Sequence, residues 1–182
     1  PRNTRPLTDR MKVRIFDVLG SDIANKSILD LYAGAGSFAL EALSRGAKEA
    51  TLVDASKQGN IIMQRNVAHT GFLPQADVIK SKVEDFIQKY KDSDKTWDII
   101  FMDPPYKLYN TKRVEKMERI INDASSLLPG VKNPKTKKFK GAFIIKHPKR
   151  YPIDKLNLKH IKRVDTYEFG LNSISLFIVK SK

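Results

Sequence analysis

The run Ile99-Ile-Phe-Met102, followed directly by Asp103-Pro-Pro-Tyr106, most narrows what this chain can fold into. Four consecutive apolar residues suit a strand buried on both faces, as in the middle of a parallel sheet. Pro104 and Pro105 cannot donate to a sheet ladder, so the strand must stop at Asp103 with a rigid backbone and freed carbonyls. A carboxylate, fixed carbonyl oxygens and an aromatic ring then meet at the carboxyl end of a strand, where open α/β sheets place ligands. That set suits a flat, amine-bearing ligand. The plainer reading of the same residues is a strand-end turn capped by an aspartate.

The rest of the chain supplies the alternation such a sheet needs. Thr8 or Asp9 caps a first helix in which Met11, Ile15, Val18 and Leu19 share a face, and Gly20 closes it. Strands are expected over 27–32, 50–54, 76–81, 99–102 and 141–146. Helices are expected over 37–45, 57–69, 83–90 and 111–128, the last stopped by Pro129-Gly130. Residues 159–169 and 173–180 alternate apolar and polar around Gly170-Leu171-Asn172, the pattern of an antiparallel hairpin. The expected fold is α/β: a mostly parallel sheet with helices on both faces and a closing antiparallel hairpin. No repeat or composition shift marks a boundary, so residues 1–182 read as one domain.

Net charge bears on the partner. Thirty-four Lys and Arg against twenty Asp and Glu leave +14, with a sequence pI near 9.9, a surplus that points to nucleic acid. The plainer reading is a solubilising surface. There are no cysteines and three histidines, which argues against a metal site and against disulfides or thiol catalysis. No apolar run approaches the ~20 residues of a membrane helix, and no signal-peptide pattern opens the chain. A cytoplasmic, membrane-free protein is the expectation. The chain begins at Pro1 without Met, so an N-terminal extension is expected to be missing.

Asp30-Leu-Tyr-Ala-Gly34-Ala-Gly36 joins the first full strand to a helix, and Asp54 ends the next strand. Gly34 and Gly36 allow a tight turn and a close ligand approach. An acid roughly twenty residues on is where dinucleotide folds bind ribose hydroxyls. The third glycine of that fingerprint is replaced by Ala39, which leaves a nicotinamide cofactor open. Asp30 tips the choice: so close to the turn it would repel a pyrophosphate, whereas it suits a ligand bearing an ammonium group, such as S-adenosylmethionine. The plainer reading has Asp30 and Asp54 as turn and helix caps.

The stretch from Leu29 to Ala47 resembles the cofactor loop of the RsmD-type 16S rRNA guanine-N2 methyltransferases. Arg5-Pro-Leu-Thr-Asp-Arg10 with Phe16-Asp-Val-Leu19 is similar to that family's N-terminal signature, and Asp103-Pro-Pro-Tyr106 to its catalytic motif. The resemblance implies a Rossmann-like class I methyltransferase fold with seven strands. It also implies S-adenosylmethionine as cofactor, with its methionine portion on Asp30, Tyr32, Ala33, Gly34 and Gly36. Asp54 and Ala55 would take the ribose, Lys82 and Val83 the adenine edge, and Arg5, Thr8 and Asp103 would complete the cofactor set. Asp103, Pro104, Pro105 and Tyr106 would hold the target base. Lys82 stands where the family usually has Asp or Asn, and Lys12-Val13 where it usually has Arg-Glu. The family's leading β-hairpin is expected to be missing along with that N-terminal extension.

On this reading Asp103 and the Pro104 carbonyl accept from the amine and turn its lone pair toward the methyl, with Tyr106 stacked on the base. The implied partner is ribosomal RNA or the small ribosomal subunit, bound by a monomer. Lys132 to Lys140, Lys149-Arg150 and Lys159 to Arg163 are the candidate phosphate contacts. An adenine-N6 methyltransferase, a small-molecule methyltransferase and an inactive RNA-binding module are the rivals.

Overall fold

Odd and even residues of the central strands feed two separate cores, as the period of a strand requires. Leu29, Leu31, Ile100, Met102, Phe143 and Ile145 face one way, onto Phe86, Ile87, Met117, Ile120 and Ile121. Ile28, Leu52, Ile99, Phe101 and Ile144 face the other, onto Met11, Ile15, Phe16, Phe38, Ala42 and Met63. The computed structural model describes residues 7–182.

The elements are α1 (Asp9–Leu19), β1 (Ser27–Leu31), α2 (Ser37–Ser44), β2 (Glu49–Asp54), α3 (Lys57–Thr70), β3 (Ala76–Lys80) and α4 (Val83–Lys91). After them come β4 (Ile99–Met102), α5 (Val114–Ser125), a single turn α6 (Pro129–Lys132), β5 (Ala142–Pro148), β6 (Ile161–Phe169) and β7 (Asn172–Val179). They build one seven-stranded sheet in the order β3-β2-β1-β4-β5-β7-β6. The first five strands are parallel, and β7 runs antiparallel between β5 and β6. The chain leaves β1 toward β2 and β3, then returns to lay β4 on the other side of β1. The carboxyl ends of β1 and β4 therefore flank the switch point, where such sheets open a crevice.

Local chemistry explains most boundaries. Thr8 caps α1, its Oγ1 accepting from Met11 N at 3.3 Å, and Gly20 closes it with φ +51°. β4 spans the expected four residues because the prolines end it. The α1 face differs from the expected one. Phe16 is buried in place of Val18, which is 38% exposed, because Phe16 stacks on Phe38 at 5.2 Å. β1 ends at Leu31, one residue early, since Tyr32 turns left-handed at φ +58°. α5 is shorter than 111–128. No side chain caps it at Arg113, and Leu127 and Leu128 bury in a turn after it. Pro129 starts α6 at a helix-entry position, instead of ending α5. The hairpin turns on Gly170-Leu171 alone, because Asn172 already pairs with Phe169. Among the described residues, no helix is long and apolar enough to cross a membrane.

Phe38 lies flat on Phe101 at 4.2 Å, joining α2 to β4 beneath the crevice. Phe38→Ala is expected to cost about 3–5 kcal/mol in urea unfolding. Leu171→Ala, on a side chain 68% exposed, is expected to stay within about 0.5 kcal/mol.

Candidate active site

The turn after β1 is fixed by the strand next to it. Ala33 N–H donates to Val53 C=O at 3.0 Å and Gly36 N–H to Ala33 C=O at 2.8 Å. Asp54, at the end of β2, accepts from Gly34 N–H on one oxygen at 2.9 Å and from Ser56 N–H on the other at 2.8 Å. Gly34 and Gly36 both hold positive φ, +59° and +80°. A Cβ on Gly36 would strike Leu52 Cδ2 at 2.7 Å, whereas one on Gly34 would meet nothing within 4 Å. Gly36 is thus sealed into the core and Gly34 presents bare backbone outward. Asn60, buried, donates to the Asp54 and Ser56 carbonyls at 2.8 and 2.9 Å, and Asn66 donates to Ala35 C=O at 2.9 Å. Neither asparagine stands out in the sequence.

Asp30 sits behind the turn and is 1% exposed. Its Oδ2 accepts from Ala39 N–H at 3.2 Å, capping one of the free donors at the start of α2. Burial raises its pKa well above the carboxylate range against the pull of that N–H, and the charges of Asp103 and Asp54 push the same way. Tyr32 packs its ring against the core beneath α4 and α5, and burial beside the Glu84 carboxylate raises its phenol. Ser81 N–H donates to Asp54 C=O at 3.2 Å, which brings the start of α4, Lys82 and Val83, next to the end of β2. Val83 is buried, while Lys82 and Ala55 are exposed. Thr8 is engaged as the α1 cap, and Arg5 lies outside the described residues.

Asp103 extends β4 one step beyond its last pair, its N–H donating to Leu31 C=O at 3.3 Å. Along the β4–β5 register, Met102 opposes Ile145, so the next positions set Asp103 opposite Lys146. Lys146 Nζ lies 3.4 Å from both carboxylate oxygens, and its side chain is 3% exposed. Burial pushes the Asp103 pKa up to about 6, with Lys146 pulling it down. Tyr106 donates to Asn172 Oδ1 at 2.8 Å, and Tyr109 donates to Lys146 C=O. These residues line a small cavity of about 10 Å³, room for about one water. A larger cavity of about 210 Å³ lies between α4 and α5, lined by Glu84, Gln88, Lys116 and Arg119, and shares no residue with this one.

Position in the fold thus brings together Asp30, the turn 32–36, Asp54, Val83 and Asp103–Tyr106 at one edge of four adjacent strands. Lys146 and Asn172 join them unforeseen. Lys146 had a signal: it is the charge that interrupts the apolar run from Ala142 to Ile145. Several candidate phosphate contacts are engaged within the protein. Lys132 donates to the Tyr90 and Ser93 carbonyls, Lys149 pairs with Glu168 at 3.0 Å, and Arg163 makes a forked bond to Asp154 at 2.6 and 3.1 Å. Among the described residues, no group of three or more His, Asp or Glu is placed to hold a metal.

A family model described as "Conserved hypothetical protein 95" matches residues 1–166. The chain belongs to this family. Ribosomal RNA small subunit methyltransferase D of Haemophilus influenzae is 35% identical over 103 residues, 56% of this chain and 53% of that protein. The protein of the same name in Escherichia coli is 34% identical over 103 residues, 57% of this chain and 50% of its own. Ribosomal RNA large subunit methyltransferase I of Klebsiella pneumoniae is 30% identical over 113 residues, 62% of this chain but 28% of that protein. The chain spans about half the length, or less, of these curated relatives. A Thermus thermophilus structure superposes with TM-score 0.70 at 26% identity, covering 97% of this chain and 89% of that one. Another, described as a candidate methyltransferase complexed with SAH, gives TM-score 0.73 at 16% identity, over 95% and 50%. The RsmD-type resemblance is borne out, and the fold is the Rossmann-like class I methyltransferase fold with an antiparallel C-terminal pair.

Within that family frame the two glycines are separable by stability alone. Gly36→Ala combines left-handed strain with the Leu52 contact and is expected to cost about 2–4 kcal/mol in chemical denaturation. Gly34→Ala carries the strain alone and is expected to cost about 1–2 kcal/mol.

Proposed function

We propose that this chain transfers a methyl group from S-adenosylmethionine to the exocyclic N2 amine of a guanine in small-subunit ribosomal RNA. The observation that carries the reading is the half-enclosed Asp103 carboxylate at the end of β4, beside the two-glycine turn at the end of β1. The names of the relatives and the basic charge favour RNA as the substrate.

The residues fit the cofactor. Gly34 offers backbone unobstructed by any Cβ, suited to the methionine portion together with Tyr32, Ala33 and Gly36. Each Asp54 oxygen accepts one backbone N–H and keeps a lone-pair direction for a ribose hydroxyl, with Ala55 beside it. Lys82 and Val83 would border the adenine, and Thr8, which caps α1, with Arg5 would complete the cofactor set. Asp30, buried behind the turn and accepting from Ala39 N–H, fixes the shape of the turn that the methionine portion would meet. When bound, S-adenosylmethionine supplies an electrophilic methyl on sulfur.

The amine is a poor nucleophile because its lone pair is conjugated with the ring. Asp103 and the Pro104 carbonyl accept its two hydrogens and turn the lone pair out of that conjugation. As the nitrogen gains the methyl from sulfur, Asp103 would take the proton that nitrogen loses. Positioned proton acceptance of this kind is worth roughly 10² to 10⁴ in rate. Tyr106 stacks on a base that has left its helix, since the site cannot reach into a duplex.

The test is transfer of labelled methyl groups to isolated small subunits, large subunits and free rRNA, followed by nucleoside mass spectrometry. The expected product is N2-methylguanosine from small-subunit RNA. N6-methyladenosine, a product only in large-subunit RNA, or no product overturns the assignment. Asp103→Ala is expected to lower kcat by about 10² to 10⁴ with cofactor affinity nearly unchanged. Asp54→Ala is expected to raise the cofactor KM; equal losses in both parameters for Asp103→Ala would remove it from the chemistry. RNA affinity should fall steeply as salt rises.

A further inference from the structure

We infer that Lys146 is a positioning residue for the transfer, its buried ammonium holding the Asp103 carboxylate ionised and aimed as an acceptor at the end of β4. The inference rests on the proposed function for its consequence, and on geometry for its content.

β1, β4 and β5 are adjacent and parallel, and their register sets Asp30, Asp103 and Lys146 on the same face of the sheet. An isolated lysine buried to this extent is costly unless a carboxylate compensates it. An apolar residue would continue the Phe143–Ile145 run without that cost. The ammonium sits symmetrically, 3.4 Å from each Asp103 oxygen. That distance exceeds the ~2.7–2.9 Å of a tight charge-assisted bond. Its main action is therefore field, and the outward lone pairs of both oxygens stay free to accept from an amine.

The other groups facing Asp103 do not duplicate this role. Asp30, from β1, is itself an acid, which burial pushes toward its neutral form. Tyr106 and Tyr109, from the turn after β4, are phenols engaged with Asn172 and the Lys146 carbonyl. His147, from β5, has Nδ1 2.9 Å from Pro148 C=O and Nε2 2.7 Å from Ser175 Oγ, and burial lowers its pKa, keeping it neutral. Burial alone drives Asp103 toward its protonated form, which cannot take a proton from an amine, and Lys146 opposes that drive. With Lys146 present the carboxylate ionises at about pH 6. Without it, ionisation moves upward, since an opposite charge at this range lowers a carboxyl pKa by about 1–3 units.

Two readouts test this. The Asp103 side-chain carboxyl is titrated by 13C NMR, assigned through Asp103→Asn, in the wild type, Lys146→Met and Lys146→Arg. The pH dependence of kcat for methyl transfer is measured in the same proteins. The expected result is an upward move of about 1–3 units in both the titration and the acid limb of the rate in Lys146→Met. Much of kcat should return at high pH, and Lys146→Arg should stay near the wild-type limb. A titration that does not move, or a rate loss equal at every pH, overturns the inference. If Lys146→Met does not fold, Lys146→Gln carries the same comparison. A moved titration in a protein that methylates no RNA upholds the role of Lys146 and overturns the proposed function.

Discussion

The hydrogen bond from Asp103 N–H to Leu31 C=O is the last rung between β1 and β4, and the site hangs from it. Beyond that rung the two chains part. One enters the glycine turn toward α2, and the other is forced out of the sheet by Pro104 and Pro105. The rung sits at the switch point of the sheet, so the divergence leaves a crevice walled by strand ends instead of by mobile loops. Phe38 on Phe101 supports it from below. The positions of Asp30, Asp54 and Asp103 are consequences of strand register, which holds side chains more firmly than a loop does.

Three acids at one sheet edge impose an electrostatic problem, and each is answered differently. Asp54 spends its charge on two backbone donors. Asp30 is withdrawn behind the turn and caps α2. Asp103 faces the small cavity and is matched by Lys146. The result is an edge whose three carboxyls are held by different partners, backbone donors for two and a buried ammonium for the third. The basic surplus lies elsewhere, and part of it is structural: Lys132 ties α6 to the end of α4.

Much of this was legible in the sequence where the signal is local. The prolines ended β4 at the expected residue, Gly20 closed α1, and alternation around Gly170 gave the hairpin. Local signals failed where packing decided. Leu127 and Leu128 continue the helical period of α5, yet they bury in a turn, because the chain must reach the hydrogen bond from Trp97 N–H to Leu127 C=O. Val18 lost its place in the core to Phe16 because an aromatic stack was available across α2. Lys146 was missed for a deeper reason. Its partner is 43 residues away, and only the β4–β5 register sets the two opposite each other. The same holds for Asn172 and Tyr106, 66 residues apart.

The most direct measurement is a crystal structure of the protein with S-adenosylhomocysteine. The account predicts the ligand in the crevice between the ends of β1 and β4, lying along Gly34 with its ribose hydroxyls on Asp54. A ligand seated instead in the larger cavity between α4 and α5, or one whose ribose makes no contact with Asp54, would contradict it.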